Sequence, residues 1–243
     1  MKRTKITALI LCATLILSGC ASMTNTTKGG LIGGGSGTAL GTLIGGAVSG
    51  KGDKAKGRMI GAILGAAVGT GAGVYVGSRM DKAAKQAAAI QGAQVEQVID
   101  NNGLQAVKVT FDSGILLGTG ASNLSSSAKA SLSKFANTVL KQNADMDVDI
   151  YGFTDNQGWK NSTAAQSRQK NLDLSQERAQ SVSTYLMACG ITSAQIKGVQ
   201  GLGEESPVAD NSTEAGRQEN RRVEVYMYAS PEMIQQAEAG TLR

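Results

Sequence analysis

Residues 171–182 read NLDLSQERAQSV, and the placement of this stretch decides how the C-terminal half of the chain folds. Asp173 or Ser175 is the expected N-cap of a helix that runs on to about residue 189. Arg178 then falls about one turn in, near the positive end of the helix dipole, where a cation gains nothing. An anion would explain it, because a helix N-terminus and a guanidinium together form a carboxylate or phosphate site.

Working outward, residues 146–152 predict a strand, followed by a long polar loop that reaches Asn171. Before that strand, a helix over residues 125–142 puts Leu132, Phe135, Ala136, Val139 and Leu140 on one face. Residues 106–111 form an earlier strand, and Asn102-Gly103 is a hairpin-turn signal between two β-rich runs. Downstream, strands are expected over residues 196–200 and 222–228, the last turning Val223, Val225 and Met227 inward. This β-α-β-α-β-β order predicts an α+β fold, a mixed sheet with helices on one face. Cys189 falls in register with Val182, Tyr185 and Leu186 and reads as a small core residue.

The 243-residue chain has no histidine, which removes His-based triads and HExxH zinc chemistry. No nucleophile–base pair or metal-ligand cluster stands out, so no catalytic residue, cofactor or metal is expected and an enzyme reading is disfavoured. Residues 1–19 read as a signal peptide, with Lys2, Arg3 and Lys5 preceding an apolar run. Its end, Leu17-Ser18-Gly19-Cys20, resembles the bacterial lipobox, which implies cleavage before Cys20 and lipidation of that residue. Several acyl chains on Cys20 would anchor the protein stably. Ala21 follows rather than Asp, which in the best-known sorting scheme implies outer-membrane delivery. Losing the three signal-peptide cations takes the formal charge from +5 to +2, so the basic balance makes no case for nucleic acid. Only Cys189 then remains as a free thiol, and no intrachain disulfide is possible.

After a lipidated linker, residues 20–30, glycines recur every four residues through residues 31–79. Gly61, Gly65, Gly69, Gly73 and Gly77 form one such run. Each costs about 1 kcal/mol in a helix interior, so the stripe calls for a compensating contact. Glycine at this spacing lets a second helix approach to backbone contact, and two runs joined by the polar KGDKAKGR predict an antiparallel helical hairpin. The block resembles the glycine-zipper segments of bacterial envelope lipoproteins. Each run is long enough to span a bilayer, and a surface-bound hairpin or a homo-oligomeric bundle fits equally. Residues 80–104 are expected to be a connector and the first hairpin strand, and residues 231–243 a tail.

Residues 105–230 carry a second resemblance. The pieces FDSG (111–114), YGFTDNQG (151–158), NLDLSQERAQSVSTYL (171–186), GLGEESPVADN (201–211) and TEAGRQENRRVEV (213–225) resemble, in order and spacing, the OmpA-like peptidoglycan-binding domain. The resemblance implies a partner, the diaminopimelate of the peptidoglycan stem peptide, whose free end holds an ammonium and a carboxylate on one carbon. By the same resemblance Asp155, after Thr154, takes the ammonium. Arg178 takes the carboxylate, helped by N–H groups at the helix start. Asn171 and Leu174 shape the pocket, Asp112 lies near it, and Arg217 and Arg222 belong to the closing arginine-rich motif, with Asn220 and Arg221 between them. The spacing from Asp155 to Asn171 is about eight residues longer than the family's, an insertion a surface loop tolerates cheaply. Trp159 in this insert is expected to pack on its own loop.

The function implied is a tether. A lipid anchor in the outer membrane would hold one end, and a periplasmic C-terminal domain would grip the wall without catalysis, many weak copies summing to a firm hold. The other reading makes the glycine hairpin the working half, inserted in a membrane or driving assembly, with the C-terminal domain only locating it.

Overall fold

The computed structural model describes residues 71–99, 105–112 and 120–241. Cys20, Gly61, Gly65, Gly69 and the Asn102-Gly103 turn lie outside the described residues. The elements in chain order are α1 (Gly71–Ala88), β1 (Ala93–Ile99), β2 (Gln105–Asp112), α2 (Ser126–Phe135), β3 (Met146–Gly152), α3 (Ala164–Ala188), β4 (Ile196–Gly201), α4 (Glu214–Asn220), β5 (Arg222–Ala229) and α5 (Pro231–Glu238). The helix of α2 runs on through a wide turn, Ala136–Leu140, and a tight one, Lys141–Asn143.

One five-stranded sheet has the order β1-β2-β5-β3-β4, with β3 and β4 parallel and the other pairs antiparallel. The α+β expectation is met, with a mixed sheet and helices on one face. Val107, Val109 and Phe111 of β2 share that face with Val223, Val225 and Met227 of β5 and with Met146, Val148 and Ile150 of β3. The α2 residues Leu132, Phe135, Ala136, Val139 and Leu140 are all buried, and the Phe135 ring meets Phe111 edge-on with centroids 5.5 Å apart. Burying each such side chain contributes about 1.5–3 kcal/mol.

β5 differs from its expected pattern. Every one of its residues is buried, because it is the middle strand, flanked by β2 and β3. Glu224, Tyr226 and Tyr228 share the second face with Asp147, Asp149 and Tyr151. Tyr226 donates to Glu224 (2.7 Å) and packs edge-on against Tyr151. Asp149 is fully buried with no cation bonded to it, and burial pushes its carboxyl up to about 7. Burial likewise raises Asp147 to about 6, although Lys197 lies 3.6 Å away and pulls it down.

α1 is more than the expected connector. Val76, Met80, Ala83 and Ala87 make a helical stripe buried in the same core, and Arg79 pairs with Asp145 (2.7 Å) before β3. In this docked helix the face buried among the described residues is the apolar stripe. Gly73 is half-buried, and a Cβ at Gly77 would meet nothing within 4 Å, so the apolar stripe beside it does the packing. The expected tail contains α5, capped by Ser230 with Pro231 at its first turn, and Met233 and Ile234 join the core. Among the described residues no helix is long and apolar enough to cross a membrane.

Candidate functional site

α3 begins earlier than the sequence reading has it. Its cap is Thr163, whose side chain accepts from the Gln166 N–H while Gln166 returns a bond to the Thr163 N–H. The inserted segment brings its own capping box, Thr163-Ala-Ala-Gln166, and this starts the helix about three turns earlier than expected. Asp173 and Ser175 are therefore interior residues. Asp173 accepts from Gln169 one turn back, and Ser175 is buried. Arg178 sits deep in the 25-residue helix, so the N–H groups of a helix start cannot assist it.

Two glycines set the depth of α3. Gly152 ends β3 and Gly201 ends β4, and a Cβ on either would run into the α3 backbone at Ser175 or Gln176. With no side chain at these places the helix seats directly on the two strand ends. Ser175 Oγ accepts from the Gly203 N–H at 2.8 Å, and Gln176 Oε1 from the Gly201 N–H at 2.7 Å. This seating brings Arg178 to the end of β3, where the chain continues as Phe153-Thr154-Asp155. Those residues are tied by Phe153 N–H to the Arg222 carbonyl (2.9 Å) and Thr154 N–H to the Gly203 carbonyl (2.7 Å).

Asp155 is only 7% exposed. One carboxylate oxygen accepts from the Gln157 N–H at 3.0 Å and the other from Arg221 Nη1 at 2.6 Å. Arg221 also reaches Glu214 through Nη2 at 2.8 Å. Burial works against the Arg221 charge, but Glu214 and Asp155 together hold its pKa above the ordinary value. Arg178 is 1% exposed, and its Nε donates to the Ala121 carbonyl at 3.1 Å, while Nη2 has no partner among the described residues. Burial pushes its pKa down to about 10, Asp155 opposes that and Arg221 adds to it. The group remains a cation at neutral pH. Asp155, Glu214, Arg178 and Arg221 thus bring two charges of each sign to one place.

The remaining expected residues separate by their surroundings. Asn171 is buried beside Asp155. Its amide nitrogen faces the Gln157 carbonyl (3.2 Å), the Asp155 carbonyl (3.4 Å) and Glu204 (3.3 Å), and its oxygen accepts from the Trp159 indole at 2.7 Å. Leu174 is half-buried. Thr154 is buried with its hydroxyl unpartnered. Asp112 ends β2 opposite Arg222 in the strand register. Arg217 is occupied within its own turn, bonded to Glu214 at 2.7 Å and to the Asn211 carbonyl at 3.0 Å.

Arg222 is fully engaged elsewhere. It donates to Glu224 (2.7 Å), the Asn220 carbonyl (3.3 Å) and the Ser206 carbonyl (3.1 Å), and its guanidinium lies 3.8 Å from the Phe153 ring centroid. Arg221, not Arg222, meets Asp155. Arg221 caps α4 and stands outside the strand, which brings it to Asp155 while Arg222 opens β5. Asn220 pins the loop between β4 and α4, accepting from Val208 and Ala209 at 2.7 and 3.0 Å. Among the described residues no group of three or more His, Cys, Asp or Glu side chains could hold a metal ion.

Residues 118–221 match the OmpA family, and residues 1–81 match the YMGG-like Gly-zipper. The chain is similar to the probable lipoprotein YiaD of Escherichia coli, 35% identical over 231 residues, an alignment that covers 92% of this chain and 97% of YiaD. It is 38% identical over 119 residues to the outer-membrane lipoprotein YfiB of Pseudomonas aeruginosa, covering 49% of this chain and 65% of YfiB. The peptidoglycan-binding protein ArfA of Mycobacterium tuberculosis is 43% identical over 86 residues, 35% of this chain and 24% of ArfA. Among solved structures, a MotB-like protein from Desulfovibrio vulgaris shares the fold with a TM-score of 0.52 at 22% identity, over 63% of this chain and 93% of that one.

Proposed function

The chain belongs to the OmpA family of non-enzymatic binding proteins, and from that membership we propose that it grips peptidoglycan without reacting with it. The ligand group is the zwitterionic end of diaminopimelate in the stem peptide. Arg178 carries this reading. It is a cation at neutral pH, 1% exposed, with a guanidinium nitrogen that has no partner among the described residues. A buried donor without an acceptor costs roughly 1–3 kcal/mol, and a ligand carboxylate would recover it with a charge-assisted bond. Asp155 supplies the complementary carboxylate for the ligand ammonium. Arg178 and Asp155 offer opposite charges to the two ends of a zwitterion, of which a plain anion or cation would use only one.

Entry of the ammonium displaces Arg221 from Asp155. Arg221 keeps Glu214 as its second carboxylate, so the exchange leaves it paired. Asn171 holds the main chain of Asp155 and Gln157 in place and positions the carboxylate. The other end of the molecule is a lipid anchor on Cys20. With the names of YfiB and YiaD in support, the tether runs from the outer membrane to the wall, with the C-terminal domain in the periplasm.

The test is co-sedimentation of the full chain, in detergent, with diaminopimelate-containing peptidoglycan. The full chain is needed because α1 supplies core residues that a fragment starting after it would lack. Binding by the wild type that is lost in Asp155→Ala and in Arg178→Met supports the zwitterion site. Unchanged binding in both variants, with folding intact, removes it.

A further inference from the structure

The insert between Asp155 and Asn171 ends beside the site. Trp159 is the only tryptophan of the chain and one of its few exposed large apolar side chains, at 36%. It is held at several points. Its N–H donates to Ser167 Oγ at 3.0 Å, and its indole N–H donates to Asn171 Oδ1 at 2.7 Å. The Lys170 ammonium lies 5.7 Å from the ring centroid and is itself fixed to Ser162 Oγ at 3.0 Å. Asn161, at φ 58°, turns the chain between Trp159 and the Thr163 cap. The ring's polar edge is thus spent inward on the same Asn171 that touches the Asp155 main chain, and what it offers outward is apolar.

We propose that Trp159 is a sugar-stacking subsite that reads the glycan next to the stem peptide, a deepening that rests on the peptidoglycan reading above. A pyranose presents a face of C–H groups ringed by hydroxyls, and a flat, immobilised indole complements that face at little entropic cost. Lys170 stands at the ring to meet sugar hydroxyls or an acidic substituent. The reach is right. A stem peptide extended through three residues covers about 10 Å and its diaminopimelate side chain adds to that reach, while a single asparagine side chain separates the indole from the Asp155 main chain. Packing on its own loop, the sequence expectation for Trp159, accounts for the bonded edge of the indole but leaves the exposed ring without a role.

The experiment compares two probes on the full chain in detergent: the disaccharide-tripeptide released from diaminopimelate-type peptidoglycan, and the same tripeptide without sugars. The wild type is expected to prefer the sugar-bearing probe by about tenfold, as one aromatic stack would give. Because Trp159 is the only tryptophan, its emission should shift with the disaccharide-tripeptide and stay put with the bare tripeptide. Trp159→Ala should bring the affinity ratio close to one, and Trp159→Phe should keep most of it. Equal wild-type affinity for both probes would overturn the subsite, as would a Trp159→Ala variant that weakens both in proportion, since that is the signature of a residue that merely props up Asn171. Failure of the wild type to bind either probe would sink the peptidoglycan reading itself, a result distinct from binding without sugar preference.

Discussion

Arg178 and Arg222 are both almost wholly buried, one beside the end of β3 and the other at the start of β5, and their surroundings are opposite. Arg222 spends its donors on Glu224 and two carbonyls and rests on Phe153. Arg178 has one carbonyl, an unpartnered nitrogen and a pKa pushed down by burial. A buried charge is tolerated when it is paired and bonded, and costs stability when it is not. Arg222 is therefore satisfied within the fold, and Arg178 is the cation that the proposed ligand would complete.

The largest expected effect falls on the satisfied arginine. Arg222→Ala leaves the Glu224 carboxyl group buried without its cation, and breaking such a pair typically costs about 3–5 kcal/mol. Denaturant unfolding should show a loss of that size. Arg178→Met should lose little stability or gain some, because it removes a poorly compensated charge and keeps the volume. If Arg178→Met unfolds the protein as badly as Arg222→Ala does, the two sites do not differ in the way proposed.

Asp149 sharpens the contrast, because a carboxyl can escape an unpaired burial by neutralising, as an arginine cannot. Its pKa is about 3.8 in an open chain and about 7 when folded. Between those values the unfolded chain is ionised and the folded one holds a proton, so folding takes up a proton. The stabilisation is fully present below about pH 4 and is lost as the pH rises through 7. Wild-type stability should fall by about 4 kcal/mol from this group between pH 4 and pH 8, and Asp147 adds in the same direction. Asp149→Asn should flatten the profile and raise stability at pH 8. A profile that rises with pH over this range, or is identical in the variant, would refute the assignment.

Much of the fold was legible in the sequence, and the failures have physical causes. β3, α2 and β5 end close to where periodicity puts them, because their buried residues are large and regularly spaced. α1 looks like a connector because half of its buried stripe, Ala83 and Ala87, is alanine, and lysines flank it. The second face of β5 reads as solvent-facing because Glu224, Tyr226 and Tyr228 are polar types. Only the strand's place in the middle of the sheet buries them, and sheet order is a long-range property. Two signals were present and readable, the capping box at Thr163 and the Ser230-Pro231 helix start. Asp155 and Arg178 come together as the motif pattern implies, but the pairing of Asp155 with Arg221 depends on where α4 ends, which no local pattern fixes.

In binding, the ordering of the two arginines should reverse. Arg178→Met is expected to cost about 2–3 kcal/mol of affinity for the disaccharide-tripeptide, the loss of one charge-assisted contact at a desolvated site. Titration of a probe series should show that this loss is largest for ligands with a free carboxylate and shrinks when that carboxylate is amidated. Equal losses for both ligands would mean that Arg178 shapes the site without touching the anion.

The smallest effect belongs to Arg221, which stands between the two cases. It is paired like Arg222, yet its partner Asp155 is the carboxylate that the ligand ammonium needs. An intramolecular cation and a ligand cation compete for the same oxygen, so the protein's own arginine lowers the apparent affinity of the site. Arg221→Gln removes the competitor. The lost pair with exposed Glu214 matters little to stability, and the cost falls on the buried Asp155 carboxylate, left without its 2.6 Å partner until a ligand ammonium arrives. Affinity for the tripeptide should rise by about threefold at low ionic strength, and the gain should shrink as salt weakens the competing pair. A fall in affinity instead would mean that Arg221 leaves Asp155 on binding to share the ligand carboxylate with Arg178. The anion would then be held by two guanidiniums, and the division between a structural and a reserved arginine would need a third class, one that changes partners when the ligand arrives.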